Sequence, residues 1–516
     1  MAFVDPATGA KRKIWKLALP TNGTWQNLQL IGLRRSKLDK DAILEVREDR
    51  PDGTILGRRA LAVLQVPGST IVSPVVAPAT TVPGVEITVG SPATTLDDYV
   101  TWSPWKLMIR QPPATSSLPV IVRNMKGSGG RLRFGPDPAT LPPGSTVTGT
   151  TRSVTLPANG SWVTIGIAGA FGAPSLRDKD AVAEVVRTGL IPPLLAREGL
   201  MVRVRRNANA LGTDARTRYL RSVATLNLQA DQYNRLQHLH RVGNREAHVL
   251  SGFLPWHRAF LLELERMMQA LDPSVALHYW RFDQPAPNVF DSAFMGVTPS
   301  GGTSVVEFTA SNPLDLWRVQ DATEFGGAVF NGVLRRPNYL PTGQPSLNDE
   351  ITTLALGVTY ALFDDMEGNP HGDAHVQTGG TGNWLRSPSI SVRDPLFFML
   401  HSNVDRLWAK WQGTYTRFDP TSDSTYTQQT DPGPGSFTSI QCAQHRSYVN
   451  GGLWPWSGVT DASDTCRPNQ ASTPFRASVV TPASPPQPPR PADVIEYRYA
   501  GGLLGNGFGY DDVPHD

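Results

Sequence analysis

Cysteine is nearly absent: Cys442 and Cys466 are the only two in 516 residues. They cannot supply a thiolate metal site; two free thiols are the expectation and a single disulfide the alternative. No apolar run is long enough to span a bilayer. The start, Met1 to Lys13, lacks the charged-then-apolar order of a secretion signal. A soluble protein is therefore expected, cytoplasmic or with a leader already removed. Excess charge is missing too. Lys and Arg number 48 against 45 Asp and Glu, a net charge of +3, and the basic residues are dispersed, which argues against nucleic acid or a membrane as partner. The most informative absence is histidine. All ten fall at or after His238, so the first part of the chain contains none.

The length and the 40% hydrophobic content suit two or three cores. The histidine-free part carries an internal repeat. Leu19-Pro-Thr-Asn-Gly-Thr-Trp25 returns as Leu156-Pro-Ala-Asn-Gly-Ser-Trp162, and Asp39-Lys-Asp-Ala-Ile-Leu-Glu-Val46 returns as Asp178-Lys-Asp-Ala-Val-Ala-Glu-Val185. The Asn-Gly pairs read as tight turns between strands, and the residues after each tryptophan alternate as half-buried strands do. Residues 1–207 are therefore expected to be an all-β sandwich region with two related repeats, about 14–66 and 151–206.

From residue 208 to 516 the pattern becomes mainly helical. Tyr219 to His240 shows an apolar helical period with Leu226, Tyr233, Leu236 and His240 on one face, which turns His240 inward and leaves His238 solvated. A second helix is expected from Pro255, with His257 heading the stripe Leu261, Leu264 and Met268; His248 lies on the loop before it. In Asn369-Pro-His371-Gly-Asp-Ala-His375, Asn369 is a candidate cap and the two histidines share a face at i and i+4. Asp394-Pro395 opens a fourth helix whose stripe is Phe397, His401, Val404, Trp408 and Trp411.

Five histidines thus point inward from four helices, with His248 beside them. Four such helices would pack as a bundle, an architecture that builds metal sites between facing helices. Burying six imidazoles without partners is costly, and metal ions would resolve that cost. An all-imidazole set suits copper, zinc, iron or nickel, whereas hard cations want oxygen. The glutamate of a hydrolytic His-Glu-x-x-His helix is missing between His371 and His375. Two triads suggest two metals, each with an open position.

At this point the sequence resembles the tyrosinase family of binuclear type 3 copper proteins, which includes polyphenol oxidases and hemocyanin units. The resemblance rests on His248-x4-Phe253-Leu-x-Trp256-His257-Arg-x2-Leu261-x3-Glu265 and on Asp394-Pro-x-Phe397-Phe398-x2-His401-x3-Asp405. Tyr233, Tyr279-Trp280 and the closing Gly509-Tyr-Asp511 add to it. It covers about 208–516, not the β region. It implies a first copper held by His240, His248 and His257, and a second held by His371, His375 and His401, with O2 as co-substrate. It implies oxidation of small phenols: o-diphenols to o-quinones, and in tyrosinases also ortho-hydroxylation of monophenols. Asp405, one turn after His401, is the candidate for orienting a ligand ring.

Three further residues bear on substrate choice. Relatives that hydroxylate monophenols often carry Asn after the first ligand of the second copper. With a glutamate four positions before that ligand, it holds a water that deprotonates the phenol. Here Glu367 is present but Gly372 replaces the Asn, which points to diphenol oxidation. Val376 would flank His375 at the substrate mouth. The alternatives are an o-aminophenol oxidase and an oxygen-binding protein like a hemocyanin unit. The β region is a candidate lid over the copper site.

Overall fold

Strand alternation between residues 84 and 202 produces sheets whose inward residues are mainly aliphatic. The structure, a computed structural model, describes the backbones of β1 (Ala2–Val4), β2 (Lys11–Arg12), β3 (Gln29–Ile31), β4 (Ala42–Arg47) and β5 (Ile55–Leu61). It further describes residues 84–90, 98–189, 193–228, 232–248, 251–299, 304–320, 329–337, 347–427, 448–457, 465–467, 488–498 and 507–515, with isolated positions 302, 435, 436, 438 and 441. The chain divides into two units, Met1–Val75 and Val76–Asp516.

In the first unit β1 pairs with β2 and β3, and β4 pairs with β5. The first copy of the Asn-Gly-Thr-Trp motif lies outside the described residues. In the second unit the strands are β6 (Glu86–Val89), β7 (Tyr99–Val100), β8 (Trp105–Arg110), β9 (Leu118–Asn124), β10 (Leu132–Gly135), β11 (Thr151–Leu156), β12 (Val163–Gly169), β13 (Ala181–Arg187) and β14 (Leu194–Val202). They form one sheet ordered β10-β12-β8-β6 and another ordered β11-β9-β13-β14-β7. Leu107, Ile109, Ile165 and Ile167 of the first sheet share a core with Val120, Val122, Val185 and Leu200 of the second. The turn at Asn159-Gly160 joins β11 to β12, which lie in different sheets, so it is an arch between sheets and not a hairpin. Gly160 takes φ of 79°, where a side chain would be strained. The β4–β5 and β13–β14 ladders match in detail. Ala42 opposes Leu61 as Ala181 opposes Leu200, and both ladders slip directly after the equivalent Val46 and Val185.

The helical part contains α1 (Thr213–Leu228), α2 (Gln232–Ala247), α3 (Phe253–Leu271), α4 (Glu350–Leu354), α5 (Tyr360–Phe363), α6 (Asp373–Gly379), α7 (Leu396–Tyr415) and α8 (Pro491–Ile495). The single helical run expected across Tyr219–His240 is two helices, and Leu226 belongs to α1 rather than to the helix of His240. The apolar period continues across the junction, so it could not reveal the break. α3 starts at Phe253, two residues before Pro255; proline is tolerated there because first-turn amides need no helical acceptor. α2, α3 and α7 are 16, 19 and 20 residues long, whereas α6 has only 7. No helix among the described residues is long and apolar enough to cross a membrane.

A buried polar cluster ties the end of β14 to the helices. Arg205, fully buried, donates to Glu265 at 2.6 Å, to Asp405 at 2.9 Å and to the Tyr510 hydroxyl at 2.7 Å. Arg258 donates to the other oxygen of Asp405 and to Gln412, and stacks over Trp408 at 3.6 Å. Burial alone would raise the Glu265 carboxyl, but Arg205 holds it below its ordinary range. Asp405 therefore serves two arginines and a tyrosine, not a histidine ring, and the ring-orienting role expected of it is overturned. The free-thiol expectation fails as well. Cys466 is disulfide-bonded, and Cys442, the other cysteine, lies outside the described residues. The neighbouring Arg467 clamps this loop to α2 through Glu246 at 2.9 Å.

Removing one member of such a buried cluster strands the charges it paired. Arg205→Met is expected to lower stability by about 3–5 kcal/mol. Denaturant unfolding of the full chain, followed by its helical signal, measures this; a loss under about 1 kcal/mol, as for an exposed pair, would contradict the buried geometry.

Candidate metal centre

Each histidine's position follows from its element. His240 lies in the last half of α2, on the face carrying Tyr233 and Leu236, and is fully buried. Its neighbour His238, on the other face, is only half-buried and lies 3.2 Å from Arg241. His248 sits in the bend after α2, and His257 one turn into α3. Before α6 the backbone is extended at Asn369 and becomes helical from Pro370, which turns His371 and His375 to one side. The Asn369 side-chain oxygen accepts from the Asn348 amide at 2.7 Å, pinning this entry to the preceding segment. His401 projects from α7, whose start is fixed by Asp394: that carboxylate accepts from the Leu396 amide and pairs twice with buried Arg335.

The structure brings all six together as two groups. His240, His248 and His257 form one, His371, His375 and His401 the other; within each group the facing ligand atoms lie within 4.8 Å of one another. The groups share a wall, because the His257 and His401 rings stack at 4.2 Å with 12° between their planes. Aromatic rings close the remaining sides. Phe397 stacks on His401 at 4.1 Å and meets His240 edge-on at 5.0 Å, and Phe253 lies 4.6 Å from His371.

What orients the rings is the backbone, a feature that residue types alone do not show. The Nδ1–H groups donate to the carbonyls of Asn244 (His248, 3.0 Å), Phe253 (His257, 2.9 Å), Glu367 (His371, 2.8 Å) and Leu385 (His375, 2.7 Å). Three of these are the carbonyl four residues back, an acceptor any helical turn offers. A carbonyl can only accept, so in each case the proton sits on Nδ1 and Nε2 presents a lone pair. His240 forms no hydrogen bond to another described residue through either ring nitrogen.

Protonation cannot relieve this convergence. Burial, then mutual repulsion, drives His240, His257 and His401 well below the ordinary histidine range. His371 is driven there by the same causes, and His248 and His375 fall to about 4, chiefly through burial. At neutral pH the six imidazoles are uncharged. The Nε2 atoms of His371 and His375 face His401 Nε2 at 3.3 and 3.0 Å, and one ring proton cannot satisfy both. His257 Nε2 is buried with no partner. Lone pairs aimed at one another in a dry pocket are what a Lewis acid resolves, and neutral nitrogen donors suit copper or zinc. The buried carboxylates nearby do not compete: Glu246, Glu265, Asp394 and Asp405 are each paired with arginine.

The other expected site residues lie around the second group. Glu367 is half-buried and supplies the carbonyl that orients His371. Gly372 is half-buried in helical backbone, and Val376 is 38% exposed next to His375. Two motifs close the far side of α3. Trp256 donates to the Trp454 carbonyl at 2.8 Å, and Trp456 donates to Glu263 at 3.1 Å. Asp364 was not foreseen. It is buried close to Glu367, and burial followed by repulsion from Glu367 raises its carboxyl well above the ordinary range.

The sequence is similar to those of known copper proteins. A sequence model for the common central domain of tyrosinase matches residues 230–414. A tyrosinase of Streptomyces glaucescens is 31% identical over 240 residues, 40% of this chain and 82% of that protein. A tyrosinase of Streptomyces antibioticus is 28% identical over 50% of this chain and 95% of its own length. Grixazone synthase of Streptomyces griseus is 27% identical over 42% and 86%. The chain belongs to the tyrosinase family and is a type 3 copper oxidoreductase, a phenol oxidase by class. Its cofactor is a pair of copper ions, and the two histidine groups fit them.

A ligand that binds only the folded state raises its stability by mass action. Loading the metal-free protein with copper is expected to raise its melting temperature, and chelation to reverse the gain. Superimposable melting curves would contradict a metal centre built from these rings.

Proposed function

We propose that His240, His248 and His257 hold one copper ion and His371, His375 and His401 the other, and that the pair oxidises o-diphenols to o-quinones with O2. The observation that carries this reading is the convergence of unprotonated Nε2 atoms on both sides of the His257–His401 stack. When bound, copper supplies dioxygen binding and the electron transfer that removes two electrons from each diphenol. The protein's own part is to keep the six imidazoles neutral, fix the Nδ1 protons of His248, His257, His371 and His375 on carbonyls, and line the pocket with Phe253 and Phe397 so that water is excluded.

The preference for diphenols rests on Glu367 and Gly372. A monophenol must lose its proton before oxidation, and a water positioned by Glu367 and a neighbouring amide would accept it. Gly372 offers no amide side chain. Its φ of −59° and ψ of −40° would accept one, but an added Cβ would stand 3.2 Å from the Glu367 carbonyl, the group that orients His371. Val376, exposed beside His375, is placed to contact the substrate ring.

We also infer that residues 1–207 are a β-sandwich region with two related repeats, about 14–66 and 151–206, and that residues 208–516 are the copper domain. The matching registers and slips of the β4–β5 and β13–β14 ladders support the repeat. The described sandwich meets the helices through Arg203 and Arg205, against Pro273, Glu265 and Tyr510, rather than at the histidines, which does not favour a lid role for that part.

Two measurements test the reading. His257→Ala and His371→Ala should each bind one copper ion where the wild type binds two; unchanged stoichiometry would overturn the ligand assignment. The wild type should oxidise catechol much faster than tyrosine-type monophenols. Gly372→Asn should raise the monophenol-to-diphenol rate ratio by at least about tenfold, short of the 10²–10⁴ of a fully positioned base. Gly372→Ala, with the same crowding and no amide, should leave the ratio unchanged; an equal rise in both variants would contradict the role of the amide.

A further inference from the structure

A second cluster of unused polar groups lies away from the histidines, in a cleft where the sandwich meets the helical part. The sandwich and the strand leaving it contribute Asp178, Arg203 and Arg206. The helical part contributes Asp214, Arg218 and His278.

Positive charge is in excess here, and the carboxylates are already engaged. Asp178 accepts from the Tyr99 hydroxyl at 3.1 Å, and Arg218 is held by Asp214 at 3.1 Å and Asp272 at 3.2 Å, which leaves Arg203 and Arg206 as the guanidinium groups not paired with a carboxylate. Arg203 is buried, donates to the Pro273 carbonyl and lies over the Tyr99 ring at 5.0 Å, with no carboxylate in hydrogen-bond reach among the described residues. Burial and the nearby Arg266 pull its pKa down to about 10, the mark of a guanidinium short of negative charge. The Arg206 guanidinium likewise forms no hydrogen bond to a described residue, and burial lowers its pKa as well.

His278 adds a directional donor. The ring is 4% exposed, and its Nδ1 accepts from the Arg206 backbone amide at 3.2 Å. That bond leaves the ring proton on Nε2. Nε2–H has no partner among the described residues, and the ring lines the cleft. Burial and the adjacent arginines Arg206 and Arg205 hold the imidazole neutral, so this proton stays a fixed donor and not a mobile charge. Guanidinium groups around a fixed N–H donor repel a cation and suit a compact oxyanion.

We propose that this cleft binds a small tetrahedral oxyanion of the phosphate or sulfate class, held by the guanidinium groups of Arg203 and Arg206 and by Nε2–H of His278. The ligating groups come from both sides of the seam. A bound anion therefore fastens the sandwich to the copper-binding part.

The test uses the full-length, copper-loaded protein. Phosphate and sulfate should raise its melting temperature saturably beyond sodium chloride of equal ionic strength, and calorimetry should show one site per chain. Arg206→Gln removes a guanidinium that bonds to no described residue. His278→Asn keeps an acceptor for the Arg206 amide but leaves no donor at the position of Nε2. Each should weaken phosphate binding roughly tenfold, as expected for one lost hydrogen bond to a charged group, while copper content and the rate on catechol stay at wild-type values. A phosphomonoester tighter than inorganic phosphate would assign the site to an organic phosphate; equal or weaker binding would assign it to the free ion. No stabilisation beyond chloride, or the same phosphate affinity in Arg206→Gln as in the wild type, would overturn the proposal.

Discussion

Six neutral imidazoles converging in an apolar pocket, four of them with their Nε2 lone pairs turned inward, are the constraint on which the rest of this structure depends. Such an arrangement is unfavourable in isolation, because the inward-facing nitrogens have given up water and do not all find a donor among the described residues. It persists because the Nδ1 protons of four rings are bound to main-chain carbonyls, and because Phe253, Phe260, Phe397 and Trp256 pack around them. Main-chain acceptors suit this task. They add no charge, whereas a carboxylate would draw the ring proton toward itself and alter the donor strength of Nε2.

The carboxylates serve the frame instead. Asp405 lies one turn after His401 but joins Arg205, Arg258 and Tyr510, linking α3 and α7 to the strand before α1 and to the C-terminal segment. Asp394 does the same at the start of α7 through Arg335. Ion pairs this deeply buried are sensitive to the loss of either partner, so the helices bearing His257 and His401 keep their spacing, and the ring stack between the groups follows from it.

The six histidines were legible in the sequence because their signals are local. His257 lies in line with Leu261, Leu264 and Met268, His240 follows Tyr233 and Leu236, and an i,i+4 spacing joins His371 to His375. The structure brings all six together. What was not legible depends on distant or featureless partners. Arg205 meets Asp405 across 200 residues, and periodicity carries no record of that. Backbone carbonyls have no residue type, so the sequence points to Asp405 and not to the carbonyls that orient the rings. An apolar stripe that runs on from Leu226 to Tyr233 concealed the break between α1 and α2. In the sandwich, alternation in β8 and β9 shows which residues face inward, while the assignment of β11 and β12 to opposite sheets depends on pairing that no local pattern encodes.

The central claim is that these six rings hold a copper pair that turns dioxygen into an oxidant of phenols. Oxygen uptake by the copper-loaded chain in the presence of catechol, measured together with quinone formation, tests it most directly. One dioxygen consumed for every two quinones, with two electrons leaving each catechol and the oxygen ending as water, is the predicted result. Reversible oxygen uptake with no quinone formed would contradict it.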